Sequence, residues 1–171
     1  MALLAASAAH GQTLGLEVSA GSGALTARLS FTWGQVQDVV AALRQGLESR
    51  ITFTVRLYEK RRAVLPLARD RLLAERTVSR SAFWDFLDDR YVVESDTGAQ
   101  VSYASAEELL EGFFSVPDAF LYPLPRGPHR VLYAAARAQF EPVRLMPPLT
   151  LVSMVGRAAA FVTPWVREDL P

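Results

Sequence analysis

From Leu14 to Trp33 the chain alternates apolar and polar side chains with a period of two, and no other feature limits its fold as much. Leu14, Leu16, Val18 and Ala20 fall on one side, with Gly15, Glu17 and Ser19 on the other. After Gly21-Ser22-Gly23, Leu25, Ala27, Leu29, Phe31 and Trp33 alternate with Thr26, Arg28, Ser30 and Thr32. Successive side chains of a strand point to opposite faces, so this pattern predicts two half-buried strands, and the glycines predict the hairpin turn between them. A sheet with one apolar face must cover it with a second layer.

The period then changes. Val36, Val39, Val40, Leu43 and Leu47 recur at helical spacing, which predicts an amphipathic helix. Thr32-Trp33-Gly34-Gln35 has the spacing of a capping box at its start, and Gly46 is placed to loosen its end. Ile51, Phe53, Val55 and Leu57 alternate again, ending in the charge run Glu59-Lys60-Arg61-Arg62, which reads as a solvated tip. Leu72 to Glu94 reads as a long strand with a bulge or bend, because Leu73, Phe83 and Leu87 break the register of Ala74, Val78, Ala82, Trp84 and Phe86. A second strand, Arg90 to Glu94, follows Asp88-Asp89.

Ser95-Asp96-Thr97-Gly98 predicts a turn and Gln100 to Tyr103 a short strand. The capping box Ser105-Ala106-Glu107-Glu108 opens a helix carrying Leu109, Leu110, Phe113 and Phe114, which Pro117 ends. The proline-rich stretch from Pro117 to Pro128 reads as ordered loop or extended chain. Val131 to Phe140 and Ala158 to Val166 read as strands, while Leu149 to Val155 fits strand and helix equally. The expected fold is mainly β with an α+β character: an antiparallel β-sandwich-like domain of about eight strands with two short covering helices.

With 171 residues, half of them hydrophobic, the chain suits one domain with a continuous core. Residues 1–12, MALLAASAAHGQ, form an apolar, small-residue segment resembling an export signal without its basic start. Residues 13–171 form the single β-rich domain. Eighteen basic residues balance eighteen acidic ones, which argues against nucleic acid as a partner. Cysteine is absent, which excludes disulfides, thiolate nucleophiles and thiolate metal sites. The longest apolar run, Leu145 to Val155, is too short to span a bilayer, so no transmembrane span is expected in the mature domain. Only Lys60 among the basic residues is lysine, a bias that base composition explains as readily as anion recognition.

Candidate chemistry is sparse. Asp85, Asp88 and Asp89 form the densest acidic group but lack the spaced ligands of a calcium loop. His129 follows a proline-rich loop with no triad or zinc partner in reach of sequence, and no nucleophile elbow or phosphate-binding glycine loop occurs. No cofactor and no metal is implied. Binding is expected at the loop that holds Phe120, Tyr122, Arg126, His129 and Arg130, since loops on a rigid scaffold carry function.

Two resemblances follow from these residues. Asp96-Thr97-Gly98-Ala99 resembles the active-site signature of retroviral-type aspartic proteases, and Met154-Val155-Gly156-Arg157 is similar to the segment packed beneath it. Glu94 and Ser95 depart from the apolar lead-in, and the flap glycines are missing. The other reading of the same residues is a turn, with Asp opening it and Gly supplying positive φ. Over most of the chain after residue 20, several segments resemble a bacterial family known as domain of unknown function 4390, mostly exported proteins. They are Ala42-Leu43-Arg44-Gln45-Gly46-Leu47, Asp89-Arg90-Tyr91-Val92-Val93, Ser102 to Leu110, Arg144-Leu145-Met146-Pro147-Pro148-Leu149 and Thr163-Pro164-Trp165. That resemblance implies an exported location, in the periplasm or envelope, and supplies no catalytic residues. The expected function is a non-enzymatic exported module that binds a protein or envelope component. The alternatives are a hydrolase using Asp96 or the Asp85, Asp88 and Asp89 carboxylates, and a carrier of lipid or another small hydrophobe.

Overall fold

The computed structural model describes residues 11–21, 24–61, 70–123, 131–144 and 160–170. The export-like segment before residue 11, the run from Leu149 to Val155 and the Met154-Val155-Gly156-Arg157 segment lie outside the described residues.

Strands β1 (Thr13–Gly21) and β2 (Ala24–Thr32) pair antiparallel from Thr13 opposite Thr32 to Gly21 opposite Ala24, forming the hairpin that the alternation predicts. Helix α1 (Val36–Arg44) follows, burying Val39, Ala42 and Leu43. Its start differs from expectation: Gln35 occupies the N-cap without a side-chain bond, because Thr32 is still the last residue of β2. Its end is a Schellman cap, with Leu47 N–H donating to Ala42 C=O and Gly46 N–H to Leu43 C=O. Gly46 stands at φ +81°, a conformation that side chains disfavour.

A four-strand meander comes next: β3 (Glu48–Glu59), β4 (Arg71–Asp85), β5 (Arg90–Ser95) and β6 (Gln100–Tyr103). The β3–β4 register skips Leu73, so the bulge predicted in the long strand is there. Phe86 and Leu87 leave the strand for the turn between β4 and β5, where they are 65% and 96% exposed, so Phe86 is not the core residue its register suggested. Helix α2 (Ala106–Phe114) opens as predicted, with Ser105 Oγ accepting from the Glu108 N–H at 3.2 Å. It ends at Phe114, ahead of Pro117, and runs directly into β7 (Ser115–Pro123), so the first half of the proline-rich stretch takes the extended one of its two readings. Strand β8 (Leu132–Arg144) and two short strands on its edge, β9 (Phe161–Val162) and β10 (Val166–Asp169), complete the described chain.

These strands form two antiparallel sheets, β1-β2-β7 and β10-β8-β3-β4-β5-β6 with β9 also on β8. The fold is thus the mainly-β, sandwich-like α+β domain expected, with ten strands among the described residues in place of about eight. The small sheet and both helices cover one face of the large sheet. Ile51, Phe53, Val55 and Leu57 of β3 and Ala134, Ala136, Ala138 and Phe140 of β8 point into that layer. The alanines of β8 leave room for an aromatic cluster around Phe140, whose ring lies 5.0 to 6.2 Å from those of Trp33, Phe31, Phe114 and Phe113.

The guanidinium of Arg80 reaches into this layer. Arg80 sits on β4 opposite Ile51, on the inward face, and its guanidinium donates to the carbonyls of Gly112 and Ser115 at the end of α2. The helix carries no basic residue in its last turn, so Arg80 supplies from another element the positive charge that a helix C-terminus favours. Burial lowers the pKa of this guanidinium from its ordinary value.

Candidate functional site

The other face of the large sheet carries no second layer among the described residues, and the register lays out its side chains in rows. At one end Asp169, Tyr133, Tyr58 and Leu72 follow one another across β10, β8, β3 and β4. The next row is Arg167, Ala135, Arg56 and Glu75, then Arg137, Thr54 and Thr77, then Gln139, Thr52 and Ser79. The last is Glu141, Arg50, Ser81, Glu94 and Gln100, reaching across to β6. The alternation that buried Ile51, Phe53, Val55 and Leu57 places these polar residues outward.

The first three rows build a rack of arginines and aromatics. Tyr58 and Tyr133 stack at 5.1 Å, and the Arg167 guanidinium lies 3.7 Å from the centre of the Tyr133 ring. Trp165 reaches over the sheet from the break between β9 and β10. Arg56 and Arg137 stand over its ring at 4.6 and 4.9 Å. Ala135, although outward-pointing, is buried, consistent with a large ring lying across a small side chain. Trp165 remains 39% exposed.

Carboxylates hold the rack in place. Arg56 donates to Glu75 at 2.5 Å, a bond that raises the arginine pKa. Asp169 accepts from Arg167 at 2.9 Å and stands 3.3 Å from Lys60, and its pKa is lowered chiefly by the Arg167 bond and then by Lys60. Arg137 makes no ion pair among the described residues.

The break that delivers Trp165 is built by Pro164. Proline cannot donate to a ladder and is tolerated where pairing fails. The Ala138 N–H donates instead to Thr163 Oγ1 at 2.9 Å, while the Thr163 N–H donates to the Ala138 C=O at 2.9 Å. The pairing resumes one residue out of step, with Val162 opposite Gln139 but Val166 opposite Ala136.

At the far end of the face lies a solvent-open cleft of about 520 Å³, with Arg50, Ser79 and Ser81 in its floor, Glu48 and Glu94 at its sides and the β5–β6 turn at its rim. Asp96 belongs to that turn, so the Asp96-Thr97-Gly98 residues adopt the turn reading: Gly98 has φ +79°, and its N–H donates to Ser95 C=O at 3.0 Å. Asp85, Asp88 and Asp89 also lie at a turn. Asp85 Oδ1 accepts the Leu87 N–H at 2.8 Å and the Asp88 N–H at 3.3 Å, which commits that carboxylate to the backbone. Among the described residues no three histidine, aspartate or glutamate side chains converge as metal ligands would.

Of the five residues expected to bind, Arg126, His129 and Arg130 lie outside the described residues. Phe120 pairs through its backbone with Ala27, and Tyr122 is half-buried and packs against the core. Arginine preference was the sequence signal for the rack. It became informative only once the register placed Arg56, Arg137 and Arg167 around one tryptophan. No protein-family model, no curated protein and no solved structure matches this chain.

Proposed function

We propose that this chain is an exported, non-enzymatic β-sandwich module that binds a protein of the cell envelope through the open face of its large sheet. The observation that carries the reading is the exposed rack of Trp165, Tyr133, Arg56, Arg137 and Arg167 on that face. Tryptophan, tyrosine and arginine are the side chains that most often anchor protein interfaces. The five rows, spread over six strands, reach about 24 Å by about 27 Å, on the scale of a transient protein contact. The signal-like residues 1–12 and the resemblance to the exported family of unknown function support the location.

The experiment places a photo-crosslinking amino acid at Thr54 in the middle of the face, at Arg28 on the small sheet, and at Arg130 in the proline-rich loop, in the native envelope. A single partner captured from Thr54, lost with Trp165→Ala and absent from Arg28, is the expected result. Capture from Arg130 or Arg28 alone would move the binding surface off this face.

A further inference from the structure

The cleft end of the open face holds opposite charges apart. Arg50, Ser81 and Glu94 stand in one row across β3, β4 and β5, so the backbones that carry the arginine and the glutamate are two strand spacings apart, about 10 Å. Only the small Ser81 lies between them. Among the described residues the half-buried Arg50 makes no hydrogen bond or ion pair. Its neighbours have turned elsewhere: Glu141, opposite it on β8, accepts from Gln139 at 3.2 Å, and Glu94 accepts from Gln100 at 2.6 Å. Asp96 adds a second carboxylate on the Glu94 side of the cleft, and Phe83 forms an apolar part of its wall.

A guanidinium fork without a carboxylate, facing carboxylates across a floor of serine hydroxyls, matches a ligand that carries both charges itself. We propose that this cleft binds a free α-amino acid with an apolar side chain. Its carboxylate takes the Arg50 guanidinium, its ammonium takes Glu94 and Asp96, and its side chain lies against Phe83. An α-amino acid carries its carboxylate, its ammonium and its side chain on one carbon, so one small molecule meets the arginine, the carboxylates and the apolar wall at once. At 520 Å³ the cleft is within the range of small-ligand sites. This inference does not rest on the protein-binding reading, which is carried by the rack at the other end of the same face.

The test is an amide NMR titration of the domain with L-leucine, L-leucinamide and N-acetyl-L-leucine, each added separately. Saturable shifts confined to Arg50, Ser81, Glu94 and the β5–β6 turn are expected with L-leucine. The amide lacks the carboxylate and the N-acetyl compound lacks the ammonium, so each is expected to bind at least ten-fold more weakly. Arg50→Gln is expected to abolish the shifts while the spectrum stays folded, and Ser81→Phe, which fills the gap between the charges, is expected to do the same. The absence of saturable shifts with L-leucine, equal binding of all three compounds, or wild-type binding by Arg50→Gln would each overturn the proposal.

Discussion

The two faces of β3 and β8 are made by the same residues in alternation, yet they solve opposite problems. Inward, Ile51, Phe53, Leu57, Ala136 and Phe140 are at most 1% exposed and belong to one apolar core cluster. Outward, every large side chain is polar, charged or amphipathic, and its partners are its neighbours on the same face. Two arginines sharpen the contrast. Arg80 on the inner face is fully used by the carbonyls of α2, whereas Arg50 on the outer face is used by nothing among the described residues. A polar group inside a core must be satisfied by the fold, while one on an open face can wait for a ligand.

The largest effect expected from breaking this contrast is at the aromatic centre. Phe140→Ala removes a fully buried ring that touches four others, and is expected to lower unfolding free energy by about 3–5 kcal/mol in a urea titration. Trp165→Ala on the outer face is expected to cost about 1 kcal/mol or less, the scale of an exposed cation–π contact. If the two cost the same, the outer face would be part of the core and the binding rack would lose its basis.

A smaller effect separates the arginines. Arg80→Met leaves the Gly112 and Ser115 carbonyls at the end of α2 without their donor, and is expected to destabilise by about 1.5–3 kcal/mol. Arg50→Met removes no bond among the described residues and is expected to change stability by about 0.5 kcal/mol or less. Parallel urea titrations check both, and equal losses would mean that Arg50 is structural.

The fold was legible where one physical pattern acts alone. Alternation placed β1, β2 and β3, and the serine cap placed the start of α2, because each depends on residues close in sequence. Prolines were harder to read, because each sits where a pairing register changes. Pro117 sits where the β2–β7 register shifts between Ala27 and Leu29, and Pro142 where the β3–β8 register shifts between Glu48 and Arg50. Ser49 Oγ donates to the Pro142 carbonyl at 2.5 Å in that second irregularity. Pro164 makes the third break. At Pro117 and Pro142 the strand continues past the proline, whereas at Pro164 one strand ends and another begins, and which happens is decided by a partner strand distant in sequence. The rack and the cleft were hidden for the same reason. Arg56, Arg137 and Trp165 are separated by dozens of residues, and Arg50 meets Glu94 across β4, so only long-range register brings either group together.

The smallest expected effect tests whether the rack is a packed structure or a loose collection of side chains. Burial, followed by the hydrogen bond that its hydroxyl donates to Asp70 at 2.9 Å, pushes the Tyr133 phenol up to about 12. A raised phenol pKa means that the folded state favours the protonated form more than the unfolded state does. The resulting stabilisation is whole below about pH 10, the ordinary phenol value, and is lost as pH rises toward 12. A spectrophotometric titration is expected to show a phenol ionising near pH 12 that is missing from Tyr133→Phe. Melting temperature is expected to fall by a few degrees, about 2–4 °C, more between pH 10 and 12 in the wild type than in Tyr133→Phe, which has no proton to lose there. If Tyr133→Phe removes no late-ionising phenol, Tyr133 is solvated, the stack with Tyr58 and Arg167 is not held, and the open face loses the rigidity that an interface anchor requires.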